Sequence, residues 1–428
     1  MRARQIHKKN GIETPTHMIC LVFFTLLTIF LSIGCTQHES EPVRVGILHS
    51  LSGTMAESES LLVDSALLAI EEINESGGVL GREIDPVIAD GKSDKSVFAT
   101  EAERLIRDEN VSVIFGTWTS EHRKAVKSVV EQNDALLFYP LQYEGLEQSP
   151  NIIYLGSTPN QQIIPAVEWC HRFIGPRMFL VGSDYIFPRI ANAIVKDELA
   201  EFGVNAVGEE YVPLGGTNFE PVVQEILQAN PDVILNTVNG DSNQAFFAAL
   251  RRAGISSEVI PVMSFSIGEP EIQSLGPDNL AGNYSAWSYF QSIDTSINRD
   301  FLDTFQTRHG TDRVIGDPME ATYLGVRLWA SAVESSRTVD PGKVKSALQG
   351  TTFSAPRGSV RIDGQNQHMW QAARIGRIKK DGQFDIVWES DILPPVNFPA
   401  TRKVSEWEQS LKELYETWGR NWANPEAP

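Results

Sequence analysis

Beyond residue 42 the apolar residues fall into two alternating kinds of run. Residues 43–48 form a short apolar stretch, followed by the small-residue turn Ser50-Leu51-Ser52-Gly53-Thr54. Leu62, Val63, Ala66, Leu67, Ile70 and Ile73 then recur at helical spacing, ending at Gly77-Gly78. The same alternation predicts strands over 84–89, 111–115 and 135–139 and helices over 97–106 and 120–130. Strands that are apolar throughout, each followed by a helix, predict a parallel sheet covered on both faces. Right-handed crossovers make it doubly wound. Near residue 160 the pattern restarts, with helices over 163–173, 188–202, 219–229 and 243–253 and strands over 178–181, 204–211, 233–238 and 260–263. Residues 320–335 and 343–348 read as helices, and 359–389 as antiparallel strands with turns at Asp363-Gly364 and Lys380-Asp381-Gly382. From residue 405 an amphipathic helix carries Trp407, Leu411, Leu414 and Trp418. The fold class is thus α/β, with two doubly wound lobes.

The first 40 residues have another character. Arg2, Arg4, Lys8 and Lys9 precede residues 19–33, an uncharged run shorter than the ~20 residues that span a bilayer. Gly34-Cys35 at its end resembles a bacterial lipobox, which implies cleavage before Cys35 and a lipid on its sulfur. One departure is Ser32, where the lipobox usually has Leu; Leu31 stands one residue earlier. The expectation is an exported chain, held at a membrane in the periplasm or cell envelope by Cys35.

The 428 residues carry 36 basic and 55 acidic side chains, a net charge of −19. That field has the wrong sign for nucleic acid or for an anionic membrane surface. Three cysteines make no disulfide framework, and Cys170 reads as a buried thiol. The chain contains no G-x-x-x-x-G-K-[ST] loop, no G-x-G-x-x-G after the first strand, no G-x-S-x-G elbow and no H-E-x-x-H pair. Cofactor, metal and hydrolytic nucleophile are therefore unsupported. Ser120 and His122 stand two apart on a helix and point in different directions. The neighbouring Glu121, Arg123, Lys124 and Lys127 read as a solvated face.

Ligands of open α/β sheets bind beyond the carboxyl ends of the strands. Six loops there are rich in small polar and aromatic residues: 49–54, 116–120 and 139–143 in the first lobe, and 182–187, 239–243 and 264–266 in the second. Turns and helix caps use the same residue types. Their recurrence in six loops from two lobes favours a ligand cleft.

Several of these stretches resemble the urea-type substrate-binding proteins of ABC transporters. They include Val45-Gly46-Ile47-Leu48-His49-Ser50-Leu51-Ser52-Gly53-Thr54, Phe115-Gly116-Thr117-Trp118-Thr119-Ser120 and Leu137-Phe138-Tyr139-Pro140-Leu141-Gln142-Tyr143. Gly182-Ser183-Asp184-Tyr185, Asn239-Gly240-Asp241-Ser242-Asn243, Phe265-Ser266-Ile267-Gly268-Glu269 and Asp317-Pro318-Met319-Glu320 continue the series in order. The wider group is the type I periplasmic-binding fold, which includes branched-chain amino-acid receptors and an amide sensor. The resemblance implies two Rossmann-like lobes joined by a three-segment hinge. Residues 43–157 with 283–350 would form one lobe and 158–282 with 351–395 the other. Residues 1–34 would be the signal peptide, 35–42 a linker and 396–428 a C-terminal helix and tail.

It also implies a receptor that captures urea, or a short amide such as acetamide or formamide, and hands it to an inner-membrane permease, with no turnover and no cofactor. Trp118 and Tyr139 would wall the site, Ser120 and Gln142 would bond the ligand, and Tyr185 would close from the second lobe. Asp241, with Ser266 or Glu269, would accept from ligand NH₂ groups. A second acceptor favours urea, whose second NH₂ replaces the methyl of acetamide. Trp118 and Leu141 match the urea-type pattern, where the amide sensor carries Tyr and Thr. Thr117 (for Cys), Phe187 (for Tyr) and Asp90-Gly91-Lys92 depart from it. A sensor subunit and an exported amide hydrolase are the other classes considered.

Overall fold

A computed structural model describes Gly11 and residues 41–425, and the fold lies in the unit that begins at Pro42. Cys35 and the expected signal peptide lie outside the described residues. Among the described residues no helix is long and apolar enough to cross a membrane.

The first sheet contains β1 (Val43–His49), β2 (Ile84–Asp90), β3 (Ile114–Gly116), β4 (Leu137–Tyr139) and β5 (Ile152–Tyr154). All its pairs are parallel, in the order β2-β1-β3-β4-β5. Val45, Ile47 and Leu48 are fully enclosed, which explains why β1 is apolar on both faces. The edge strand β2 tolerates Pro86, since an edge has an unpaired side. Helices Ala56–Glu75, Lys95–Arg107, Ser120–Gln132 and Asp317–Ser336 cover this sheet, and Trp329 meets Phe115 edge-on at 6.0 Å. Asp94 and Thr119 cap two of these helices by accepting from backbone N–H groups of the first turn.

The second sheet repeats the winding. Here β6 (Met178–Ser183), β7 (Gly208–Val212), β8 (Val233–Thr237), β9 (Val262–Ser264) and β10 (Tyr284–Trp287) run parallel in the order β7-β6-β8-β9-β10. The chain then adds β11 (Thr352–Ala355), β12 (Gly358–Ile362), β13 (Met369–Ile378) and β14 (Phe384–Leu393), all paired antiparallel through β13 beside β10. One face of the second sheet packs on helices Ile163–Phe173, Ile186–Glu201 and Val404–Thr417, and the other on Glu220–Ala229 and Ser242–Arg252.

Where the chain changes lobe differs from the segments expected from sequence. β10 hydrogen-bonds into the second sheet, so the return to the first lobe follows Trp287 and not residue 283. Ala355, Val360 and Ile362 pack into the first core, so the chain beyond 351 has not yet left it. The strand expected over 204–211 is confined to β7, because Val204 and Ala206 lie partly buried against the second core outside it.

Candidate functional site

The carboxyl ends of β1, β3 and β4 face those of β6, β8 and β9 across a seam. Gln142, after β4, donates from Nε2 to the Phe265 carbonyl at 2.9 Å and lies 3.5 Å from Ser266 Oγ. Gln162 donates to the same carbonyl at 3.2 Å and to that of Ala286 at 2.7 Å. Gln162 thus ties two neighbouring strand ends of the second lobe together behind Gln142, a role with no local signature in the sequence. Trp118, Tyr139, Gln142, Tyr185, Ser266 and Glu269 are all buried. Two polar atoms there have no partner among the described residues: Gln142 Oε1 and Glu269 Oε2. The other Glu269 oxygen accepts from the Gln291 N–H at 2.6 Å. Burial pushes the Glu269 carboxyl up to about 8, against two backbone N–H bonds that work the other way. Burial thus favours the neutral acid, which can both donate and accept.

Thr117 departs from the ordinary backbone. Its φ is 48°, a left-handed value that β-branched residues rarely adopt, and its hydroxyl is buried without a partner among the described residues. The preceding Gly116 ends β3 against β1, where a Cβ would meet the Leu48 carbonyl oxygen at 2.1 Å.

Ser120 is differently placed from the expectation of a free ligand donor. Its hydroxyl donates to Glu144 and accepts from Arg123 Nη1 at 2.9 Å. The face expected to be solvated turns inward: Arg123 is fully enclosed and Lys124 nearly so. Arg123 pairs with Glu144 and Glu147, each at 2.9 Å, and Lys124 pairs with Glu147 at 2.9 Å. Two cations thus meet two carboxylates, which is why burial is tolerated. Burial alone would push the Glu147 carboxyl up, but Arg123 and Lys124 hold it well below the usual carboxylate range. Tyr139 belongs to the same network, donating to the Trp118 carbonyl at 2.7 Å beneath Arg123. Only Lys127, paired with Glu131, keeps the expected outward role. Glu144 and Glu147, one and four residues after Tyr143, were the available signal for the inward charges.

Asp241 stands apart from this group. It is exposed on the rim of an interlobe cavity of ≈ 260 Å³, lined also by Glu57, Ser58, Asn243, Glu271 and Arg313. Partial burial and the nearby Glu57 raise its pKa. Cys170 is buried, and burial pushes its thiol far up, consistent with an inert side chain.

Behind the site, His368 stacks on Tyr154 at 4.1 Å; one ring nitrogen meets the Asn366 carbonyl and the other the Tyr143 hydroxyl. Burial lowers its pKa to about 4. A His whose folded pKa is depressed contributes stability above its unfolded value of ~6.5 and loses it as pH falls toward the folded value. Between pH 7.5 and 5 the wild type is expected to lose about 2 kcal/mol more than His368→Gln. Guanidinium titrations of both proteins at the two pH values read this difference, which cancels the opposite trend from Glu269.

Comparison with known proteins fits this architecture. The family described as periplasmic binding protein domain matches residues 43–403. The chain belongs to the periplasmic binding protein family. Its two-lobed α/β build matches that of solved type I periplasmic binding proteins. The Leu/Ile/Val-binding protein homolog 7 of Brucella suis biovar 1 is 24% identical over 377 residues, 82% of this chain and 92% of that protein. A solute-binding protein of Rhodopseudomonas palustris HaA2, crystallised with p-hydroxybenzoic acid, superposes with a TM-score of 0.75 at 24% identity, covering 83% of this chain and 98% of that one. A limonene hydroxylase of Geobacillus stearothermophilus is 36% identical over 153 residues; the match spans 35% of this periplasmic binding protein and 28% of the hydroxylase.

Proposed function

We propose that this receptor captures urea at the seam between its lobes, with short aliphatic amides as the alternative ligands, and delivers it to a membrane permease. The observation that carries the reading is the pair of buried, unpartnered oxygens, Gln142 Oε1, an acceptor, and Glu269 Oε2, which in the neutral acid carries the proton and donates. A neutral solute that carries both an NH₂ group and a carbonyl satisfies such atoms, the NH₂ donating to Gln142 and the carbonyl accepting from Glu269, whereas leaving them unpaired costs about 1–3 kcal/mol each. The resemblance of loops 116–120 and 139–143 to the urea-type pattern supports the same choice.

In this reading Gln142, Ser266 and Glu269 bond the ligand, and Trp118, Tyr139 and Tyr185 enclose it. Ser120, held by Glu144 and Arg123, fixes the wall on which Tyr139 stands. Asp241 guards the mouth. A ligand that touches both lobes stabilises the closed state by its differential affinity, and the permease would read that state. Cys35 would hold the receptor at a membrane through its lipid.

Calorimetric titration with urea, acetamide, formamide, leucine and 4-hydroxybenzoate tests the assignment. Saturable heat is expected with urea, and Glu269→Ala is expected to weaken it about 10- to 100-fold. Tighter binding of leucine or of the benzoate would overturn the reading; tighter binding of an amide would select the alternative.

A further inference from the structure

The family match ends at residue 403, yet residues 404–424 pack against both lobes. In helix Val404–Thr417 and just after it, Trp407 and Trp418 enter the second core. Arg402 anchors the start of the segment on Asp197 at 2.7 Å. The segment then runs back along the loop that carries Tyr185. The Ile186 N–H donates to the Trp422 carbonyl at 2.9 Å, and the Asn424 N–H donates to the Asp184 carbonyl at 3.0 Å. Tyr185 and Ala423 face each other as an antiparallel bridge. The other side of the same four residues meets the first lobe. Lys124 Nζ lies 4.5 Å from the centre of the Trp422 ring, and Lys95 bonds the Asn421 side chain.

Trp422 therefore sits between two parts of the candidate site. Its backbone holds the loop of Tyr185, and its ring lies under Lys124, the cation that helps neutralise Glu147 in the network beneath Ser120 and Tyr139. We propose that residues 421–424 form a strap across the lobes that fixes Tyr185 in the closed arrangement and slows release of the ligand. The inference rests on the reading of Tyr185 as a closing residue. Because it crosses the seam outside the hinge, the strap must detach from one lobe for the cleft to open. The side to let go is the first lobe, where two lysine side chains make the contacts named above, whereas the second-lobe contact is a backbone ladder.

The test compares wild type, Trp422→Ala and Trp422→Phe. Small-angle scattering of the ligand-free protein reads the separation of the lobes, and stopped-flow release of urea reads retention. Trp422→Ala is expected to enlarge the ligand-free particle and to speed urea release about tenfold, the scale of one partly desolvated cation–π contact. Trp422→Phe, which keeps a ring under Lys124, is expected to restore most of both. A scattering curve unchanged by Trp422→Ala overturns the strap, and a changed curve with unchanged release overturns its action on the ligand. If wild type gives no heat with urea, the substrate reading fails while the scattering comparison still decides the strap. Should Trp422→Ala not fold, Asn424→Ala, which removes the side-chain bond to Asp184 at 2.7 Å, replaces it.

Discussion

Arg123→Ala is expected to destabilise the receptor by about 3–5 kcal/mol, the range for removing one partner of a buried ion pair. The guanidinium is fully enclosed and joins Ser120, Tyr139, Glu144 and Glu147. Its loss leaves two carboxylates with one cation, Lys124. Two neutral replacements together should cost less than one. Arg123→Met with Glu144→Gln keeps Lys124 opposite Glu147 and is expected to recover most of the loss. Guanidinium chloride is the denaturant of choice, since urea is the proposed ligand. A loss below about 1 kcal/mol for Arg123→Ala would place the network among pairs that contribute little.

Gly156→Ala is expected to cost about 3 kcal/mol or more and to abolish ligand heat. Gly156 follows β5 and lies against the backbone of the site loop. A Cβ there would fall 1.8 Å from the Leu141 carbonyl carbon and 2.3 Å from the Gln142 nitrogen. No rotamer relieves a clash with backbone, so the two segments must part. The displaced residue is Gln142, whose amide holds the seam at Phe265. Gly342→Ala is the control: it lies in helix Pro341–Leu348 with no atom nearer than 3.5 Å, and is expected to be neutral or stabilising by about 0.5–1 kcal/mol. Equal effects from the two substitutions would refute the packing argument.

The lobes were legible because their strands are unbroken apolar runs between helices of regular period. β5 and β10 escaped notice for the opposite reason. Ile152-Ile153-Tyr154 is three residues long, and Tyr284-Ser285-Ala286-Trp287 buries a serine that breaks the apolar run. The site was legible as loops and not as contacts. Gln142 comes within 3.5 Å of Ser266, a contact that no motif encodes, while Asp241 stands on the rim because the loop after β8 ends at an exposed turn. Arg123 was misread because a charge on a helix is buried only when its counter-charges arrive from elsewhere, here 21 and 24 positions on. Residues 421–424 have neither apolar period nor turn signal, and their role lies wholly in what they touch.

The first lobe is assembled from distant parts of the chain. Its central tryptophan, Trp329, reaches Phe115 only after the whole second sheet up to β10 has been synthesised. Until then helix Ala56–Glu75 lacks its neighbour Asp317–Ser336, and an apolar flank of the nascent lobe stays uncovered. Such long-range closure slows folding. A chain halted before residue 317 would keep that flank open, and is expected to associate through it rather than remain a soluble half-receptor.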